Sequence, residues 1–263
     1  MTYTPAEMMT VAAARALGND DVCFVGIGLP SAACNLARLT HAPRITLIYE
    51  SGTLATRPEV LPLSIGDGEL CDTALTTVSV PEIFRYWLQG GRISVGFLGG
   101  AQVDRFANLN STVIGDYNKP KVRLPGSGGA TEIATGCGQI FIVMRHGARS
   151  FVPQLDFLTT LGHGRTGQER RQLGIRTKGP TLLVTDLCVM RPHAETNEMV
   201  VASLHPGITR EQVREKTGWD VRFTDDFGGS LEETVPPSAA ELEALRDLQA
   251  RTAKAHGQTG GSE

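Results

Sequence analysis

Glu50 is an acid placed at the end of an apolar run. Residues 45–49, Ile-Thr-Leu-Ile-Tyr, are β-branched and apolar and read as a buried strand of a parallel sheet, and Ser51-Gly52 follows at once. Ligands in open α/β sheets gather beyond the carboxyl ends of the strands, so a carboxylate there can serve as base, metal ligand or nucleophile. Taken alone it is more often an exposed acid opening a turn. A second strand-like run, residues 92–98, leads into Gly99-Gly100-Ala101-Gln102-Val103-Asp104. The densest glycine cluster is Leu124-Pro125-Gly126-Ser127-Gly128-Gly129-Ala130. A missing Cβ permits positive φ there and lets a ligand lie against peptide N–H groups. Gly26 and Gly28 stand between a short strand at 22–25 and a helix resuming at 32–39. A turn of this kind can bring backbone N–H groups to an anion, or can serve tight packing; the dinucleotide fingerprint lacks its third glycine. His163, between Gly162 and Gly164, is a candidate general base or a turn residue.

These loops need a frame. Thr4, Pro5 and Glu7 have the form of a capping box with proline at the first helical position, opening a helix to Leu17 that Gly18-Asn19 ends. Residues 53–77 lack a clear period and are expected to be a long ordered loop able to cover the site. Pro81 opens a predicted helix whose Ile83, Phe84, Trp87 and Leu88 share a buried face, closed by Gly90-Gly91. Residues 115–120 read as a turn, 131–135 as helix, 140–144 as strand and 156–174 as loop. Strands are expected at 180–185 and 200–204, with a polar turn at 194–197. Thr209 and Gln212 form a capping box for a helix ending at Gly218, and residues 238–255 form an amphipathic helix through Leu242, Leu245 and Leu248. Without repeats or a low-complexity linker, residues 1–255 are expected to be a single domain, followed by a flexible tail at 256–263.

Composition narrows the function. With 25 basic and 28 acidic residues, a net charge of -3 and no dominant cluster of Lys and Arg, neither nucleic acid nor a membrane surface is the expected partner; a small molecule is. Five cysteines at wide spacing, with no C-x-x-C pair, fit free thiols in a reducing cytosol better than disulfides or a metal site. The start lacks a basic segment followed by an apolar core, and no window approaches the ~18 apolar residues of a membrane span, so a cytoplasmic protein is expected.

In their order along the chain, Gly26-Ile27-Gly28-Leu29-Pro30, Glu50-Ser51-Gly52, the run from Gly99 to Asp104, Asn108-Leu109-Asn110, Ile114-Gly115-Asp116-Tyr117 and Gly126-Ser127-Gly128-Gly129-Ala130 resemble the β subunit of family I coenzyme A transferases. The resemblance covers nearly the whole chain. It implies an α/β fold with an open, mostly parallel sheet flanked by helices (the CoA-transferase, ribose-phosphate-isomerase-like fold) and an α subunit as partner, in an α2β2 complex. It also implies Glu50 as a covalent nucleophile that becomes a glutamyl-CoA thioester, with the amides of Gly128 and Gly129 as oxyanion donors. Gly99, Gly100, Ala101 and Gln102 are implied to line the CoA side, with Gly26, Gly28, Gly126 and Ala130 also binding CoA, which is a substrate; no permanent cofactor or metal is expected. The implied reaction moves CoA from succinyl-CoA to a 3-oxo dicarboxylic acid, 3-oxoadipate, in aromatic catabolism by the β-ketoadipate pathway. Alternatives are glutaconate or another short-chain acid as acceptor, an acyl-CoA hydrolase on the same fold, or a non-enzymatic sensing or scaffold subunit. Ser51 departs from the asparagine that follows the glutamate in other branches. Asn110, Ser111 and Asp116 have no assigned role, and Arg57, Arg92, Arg105 and Arg123 are all candidates for binding a distal carboxylate.

Overall fold

The computed structural model describes residues 2–257. Within the span expected as one domain, backbone contacts cluster into two compact units, Met1–Ser94 with Pro237–Glu263, and Val95–Pro236.

In the first unit, helix α1 (Pro5–Arg15) begins with the expected capping box, Thr4 and Glu7 each receiving the other's amide. Strand β1 (Val22–Val25), helix α2 (Leu29–Leu39) and strand β2 (Thr46–Tyr49) follow, with β1 and β2 parallel. Cys23, Phe24, Val25, Leu47, Ile48 and Tyr49 are all buried, as strands covered on both faces require. The long loop expected at 53–77 is partly regular: it holds β3 (Thr53–Leu54), α3 (Gly68–Asp72) and β4 (Thr76–Thr77), with β3 antiparallel to both β2 and β4. Its short threonine-bearing strands are too brief to show a period.

The helix expected from Pro81 starts one residue earlier, as α4 (Val80–Glu82) capped by Ser79 and Glu82, and continues as a π-helix at Ile83–Leu88. The wider turn rotates the face: Ile83 and Leu88 are buried, Phe84 sits edge-on to Phe24 at 6.0 Å, and Tyr86 points outward. The C-terminal helix, Ala239–Ala255, buries Leu242, Leu245 and Leu248 as its pattern predicts and packs near α1 and α2. Two ion pairs join it to α1, Arg15 with Glu241 at 2.6 Å and Arg246 with Glu7 at 2.6 Å. In the tail, His256 is anchored by its amide to Thr252 and its ring to the Leu61 carbonyl; residues 258–263 lie outside the described residues.

The second unit opens with β5 (Val95–Leu98), two short hairpins, β6 (Gln102–Val103) with β7 (Leu109–Asn110) and β8 (Val113–Gly115) with β9 (Pro120–Arg123), then α5 (Ala130–Gly136) and β10 (Gln139–Val143). The loop expected at 156–174 ends in a single helical turn, α6 (Glu169–Gln172). After it come β11 (Pro180–Val184), β12 (Cys188–Pro192), β13 (Met199–Leu204), α7 (Arg210–Glu215) and β14 (Glu232–Glu233). Strands β5, β10 and β11 pair in parallel; β12 and β13 add antiparallel strands, and β14 returns parallel to β13. The expected turn at 194–197 is the β12–β13 hairpin bend, with Asn197 at φ 57°. Strand β12 has no counterpart among the elements expected from the sequence, because its polar exit at Arg191-Pro192 hides the apolar triplet before it.

Candidate active site

Glu50 occupies the first position after β2, in a three-residue turn that reverses the chain into β3. Gly52 closes the turn by donating to the Tyr49 carbonyl at 3.0 Å and accepting from the Val78 amide at 2.9 Å. At φ 107°, a Cβ on Gly52 would stand 2.0 Å from the Val78 carbonyl oxygen, so no other residue fits without displacing the backbone. Beneath the turn, the fully buried Tyr49 shares a 2.8 Å hydrogen bond with Ser31 in the first turn of α2. Burial pushes the Tyr49 phenol well above its usual range, so it stays a neutral anchor. Register pairs Val25 with Tyr49, which brings Gly26 and Glu50 to the same sheet edge, next to Gly28 at the start of α2. Gly26, Gly28 and Glu50 are thus together, at the strand ends where the sequence placed them.

The Glu50 side chain is half-buried and makes no hydrogen bond or ion pair among the described residues. Next to it, the Ser51 and Thr53 hydroxyls are buried without partners. An acid of this kind is held by its backbone and free in its chemistry. The acid opens a turn, yet its carboxylate is not spent on that turn.

In the second unit the remaining candidates form one connected network. The Gly99–Gly100–Ala101 loop follows β5; Ala101 donates to the Asn110 carbonyl at 2.9 Å, and a Cβ on Gly100 would press on that same oxygen at 3.1 Å. Gln102 is buried, accepting from Asn110 Nδ2 at 2.7 Å and the Asp156 amide at 3.0 Å, and donating to the Asp156 carboxylate at 3.1 Å. Asn110 Oδ1 accepts from the amides of Thr112 and Val113. Ser111 then clasps Gly126 twice, its hydroxyl donating to the Gly126 carbonyl at 2.8 Å and its own carbonyl accepting the Gly126 amide at 2.9 Å. The Gly99–Gln102 loop and the Gly126–Ala130 loop are joined through Asn110 and Ser111. That assigns the two a positioning role, whereas Asp116 only caps the exposed turn by accepting from Asn118 and Lys119.

Ala130 donates to Ser127, closing a turn in which Gly128 takes φ 47° and Gly129 caps α5. The Gly128 and Gly129 amides, at the start of α5, donate to no described acceptor, as N–H groups at a helix start commonly do. His163 is not a free base. It is buried to 4 % exposure with Nε2 at 2.8 Å from the Pro180 carbonyl, and desolvation lowers its pKa. Asp156, the residue that ties Gln102 in place, carries no signal in the sequence because it sits in irregular chain more than fifty positions away. Among the described residues no group of His, Cys, Asp and Glu could hold a metal ion, and none of the five cysteines is in a disulfide, only Cys71 being exposed.

Residues 6–216 match the family model described as Coenzyme A transferase. The chain belongs to the coenzyme A transferase family. This CoA-transferase chain is 62% identical over 261 residues, 99% of each sequence, to a 3-oxoadipate CoA-transferase subunit from Pseudomonas knackmussii. It is 38% identical to a glutaconate CoA-transferase subunit from Acidaminococcus fermentans, over 90% of this chain and 89% of that one. The crystal structure of the Acidaminococcus fermentans glutaconate coenzyme A-transferase superposes with a TM-score of 0.86 at 33% identity, covering 93% of this chain and 94% of that one. The open α/β class expected from the sequence is the fold of this CoA-transferase.

Proposed function

We propose that this CoA-transferase chain is the β subunit of an enzyme moving CoA from succinyl-CoA to 3-oxoadipate. The single observation carrying the acceptor is the 62% identity, over 99% of each sequence, to a subunit that bears that activity in its name. The relatives' designation as subunits supports an α subunit as partner. The α2β2 stoichiometry and the cytoplasmic setting are part of the same proposal, and no helix among the described residues is long and apolar enough to cross a membrane.

The chemistry follows from exchanging one thioester for another, which is nearly thermoneutral and needs a site to hold the acyl activation. A Glu50 carboxylate oxygen attacks the succinyl-CoA carbonyl; the C–S bond breaks and CoA leaves as thiolate, giving a succinyl–glutamyl anhydride. The thiolate then attacks the glutamyl carbonyl, succinate departs, and Glu50 becomes a glutamyl-CoA thioester. The acceptor carboxylate displaces the thiolate to form a second anhydride, and the thiolate takes the acyl group, returning Glu50 to its starting carboxylate. Each step forms one bond and breaks one, and none needs a proton or a metal. Each passes through an oxyanion, for which the unpaired amides of Gly128 and Gly129 are proposed donors. Gly26, Gly28, Gly99, Gly100, Ala101, Gln102, Gly126 and Ala130 are proposed to contact CoA.

Steady-state turnover with the partner subunit tests this reading. Succinyl-CoA consumption should require an added carboxylic acid, with 3-oxoadipate giving a higher kcat/KM than glutaconate or acetate. Rapid thioester loss with no acid present would instead show a hydrolase.

A further inference from the structure

A cleft of about 660 Å³ in the Val95–Pro236 unit is left unassigned by the carboxylate chemistry. Its walls come from the turn of Arg105 and Phe106, the segment of Asp156 and Phe157, and the loop of Arg165. Asn108, 2 % exposed, fixes the first of these against the last. Its Nδ2 donates to the Asp104 carboxylate at 2.8 Å and to the Gly164 carbonyl at 3.0 Å, while its Oδ1 accepts from the amides of Gly162 at 2.8 Å and Gly164 at 3.2 Å. With every donor and acceptor of the amide in use, the two loops have one arrangement. The Phe106 carbonyl accepts from the His163 amide at 2.9 Å, and the buried Arg170 braces the same loop by donating to the carbonyls of Leu161 and Gly162. The cleft is built, and it is tied to the candidate CoA loop, since Asp156 on its wall holds Gln102.

The charges in it are unequal in their commitments. Asp104 accepts from the amides of Phe106 and Asn108, Asp156 from Gln102 and the Gly115 amide, and Glu169 from the Arg165 amide. The guanidinium groups of Arg105 and Arg165 are exposed and make no hydrogen bond or ion pair among the described residues, Arg105 feeling only the charge of the neighbouring Asp104. Of the other arginines considered for a distal anion, Arg57 donates to the Pro43 carbonyl, Arg92 lies over Trp87, and Arg123 lies over Tyr117 while donating to its carbonyl. Two guanidinium forks whose N–H donors are not spent on protein acceptors, beside aromatic walls, are suited to bidentate recognition of a carboxylate or phosphate.

We infer that Arg105 and Arg165 form an anion-binding site in this cleft that holds the far, non-reacting anionic group of a substrate. This rests on the transferase reading above. The anion is the distal carboxylate of the dicarboxylic acid or a phosphate of CoA, and binding it far from the reacting carbonyl supplies energy that the chemical steps can use.

The test uses R105L, R165L, R105K and R165K in complex with the partner subunit. KM is measured for a 3-oxo diacid, for a 3-oxo monoacid, and for the acyl-CoA donor with and without its 3′-phosphate. The leucine variants should raise KM roughly ten- to hundredfold for one anionic substrate with kcat little changed, and the lysine variants should recover part of the loss. A rise confined to the diacid assigns the distal carboxylate. A rise for acyl-CoA that shrinks for the dephosphorylated donor assigns the 3′-phosphate, and one equal for both donors assigns the diphosphate; all three outcomes support the site. KM values that stay within twofold, or that rise alike for the diacid, the monoacid and the donor, overturn it. A CoA adduct on wild-type Glu50 separates the two levels: its absence defeats the transferase reading, whereas its presence alongside unmoved KM values defeats only the anion site.

Discussion

Glu50 carries its proposed role because the fold fixes its backbone and leaves its carboxylate unpaired. Its replacement by Gln should keep the structure and lower kcat by roughly three to six orders of magnitude, as for other covalent nucleophiles. Glu50→Asp retracts the carboxylate by one methylene and should cost about a hundredfold, the usual penalty for a displacement near 1 Å. Both are read from kcat in complex with the partner subunit. For the oxyanion donors the informative change is Gly129→Pro, because φ -82° lies close to the range proline takes and the lost amide has no acceptor among the described residues. It should lower kcat roughly 10²- to 10³-fold at nearly constant KM. At this scale the sequence pointed to Glu50 and the glycine loops because an acid or a glycine at a strand end has a local reason to be there. Ser31 beneath Tyr49 and Asp156 beside Gln102 had no such signal, since hydrogen bonds across 18 and 54 positions leave no trace in local pattern.

Among the elements, the Glu50 turn depends on Gly52. Gly52→Ala brings a Cβ to 2.0 Å from the Val78 carbonyl at a φ that disfavours any side chain, and should destabilise the protein by roughly 3 kcal/mol or more, measured by urea denaturation. Asn108→Leu would leave the Asp104 carboxylate and the Gly162 and Gly164 amides short of partners, costing about 2 to 4 kcal/mol and loosening the Arg165 loop. Elements with a capping box or an amphipathic period were legible: α1 from Thr4 and Glu7, α7 from Thr209 and Gln212, the C-terminal helix from its leucines. The π-helix at Ile83–Leu88 was not, because a helical spacing of apolar residues does not distinguish the wider turn. Two-residue strands such as Thr53–Leu54 exist through pairing with β2 and β4, not through any pattern of their own.

For the molecule as a whole, buried histidines set the response to acid. Desolvation holds His146 at about 4, where it stacks on Phe151 at 3.7 Å and meets Thr217, and lowers His163 and His205 as well. Below the ordinary imidazole value of about 6.5 the unfolded chain takes up protons that the folded chain refuses. The stability is complete above that pH and is lost as pH falls toward 4, with His146 alone contributing roughly 2 kcal/mol of loss by pH 5. Urea denaturation at pH 7.5 and pH 5 should show this, and His146→Gln should flatten the difference. The central claim, that Glu50 carries CoA, is tested most directly by the mass of the peptide containing it after the complex meets succinyl-CoA with no acceptor present. We predict a CoA adduct on Glu50 that hydroxylamine removes and 3-oxoadipate discharges; an unmodified peptide from enzyme that still turns over would contradict it.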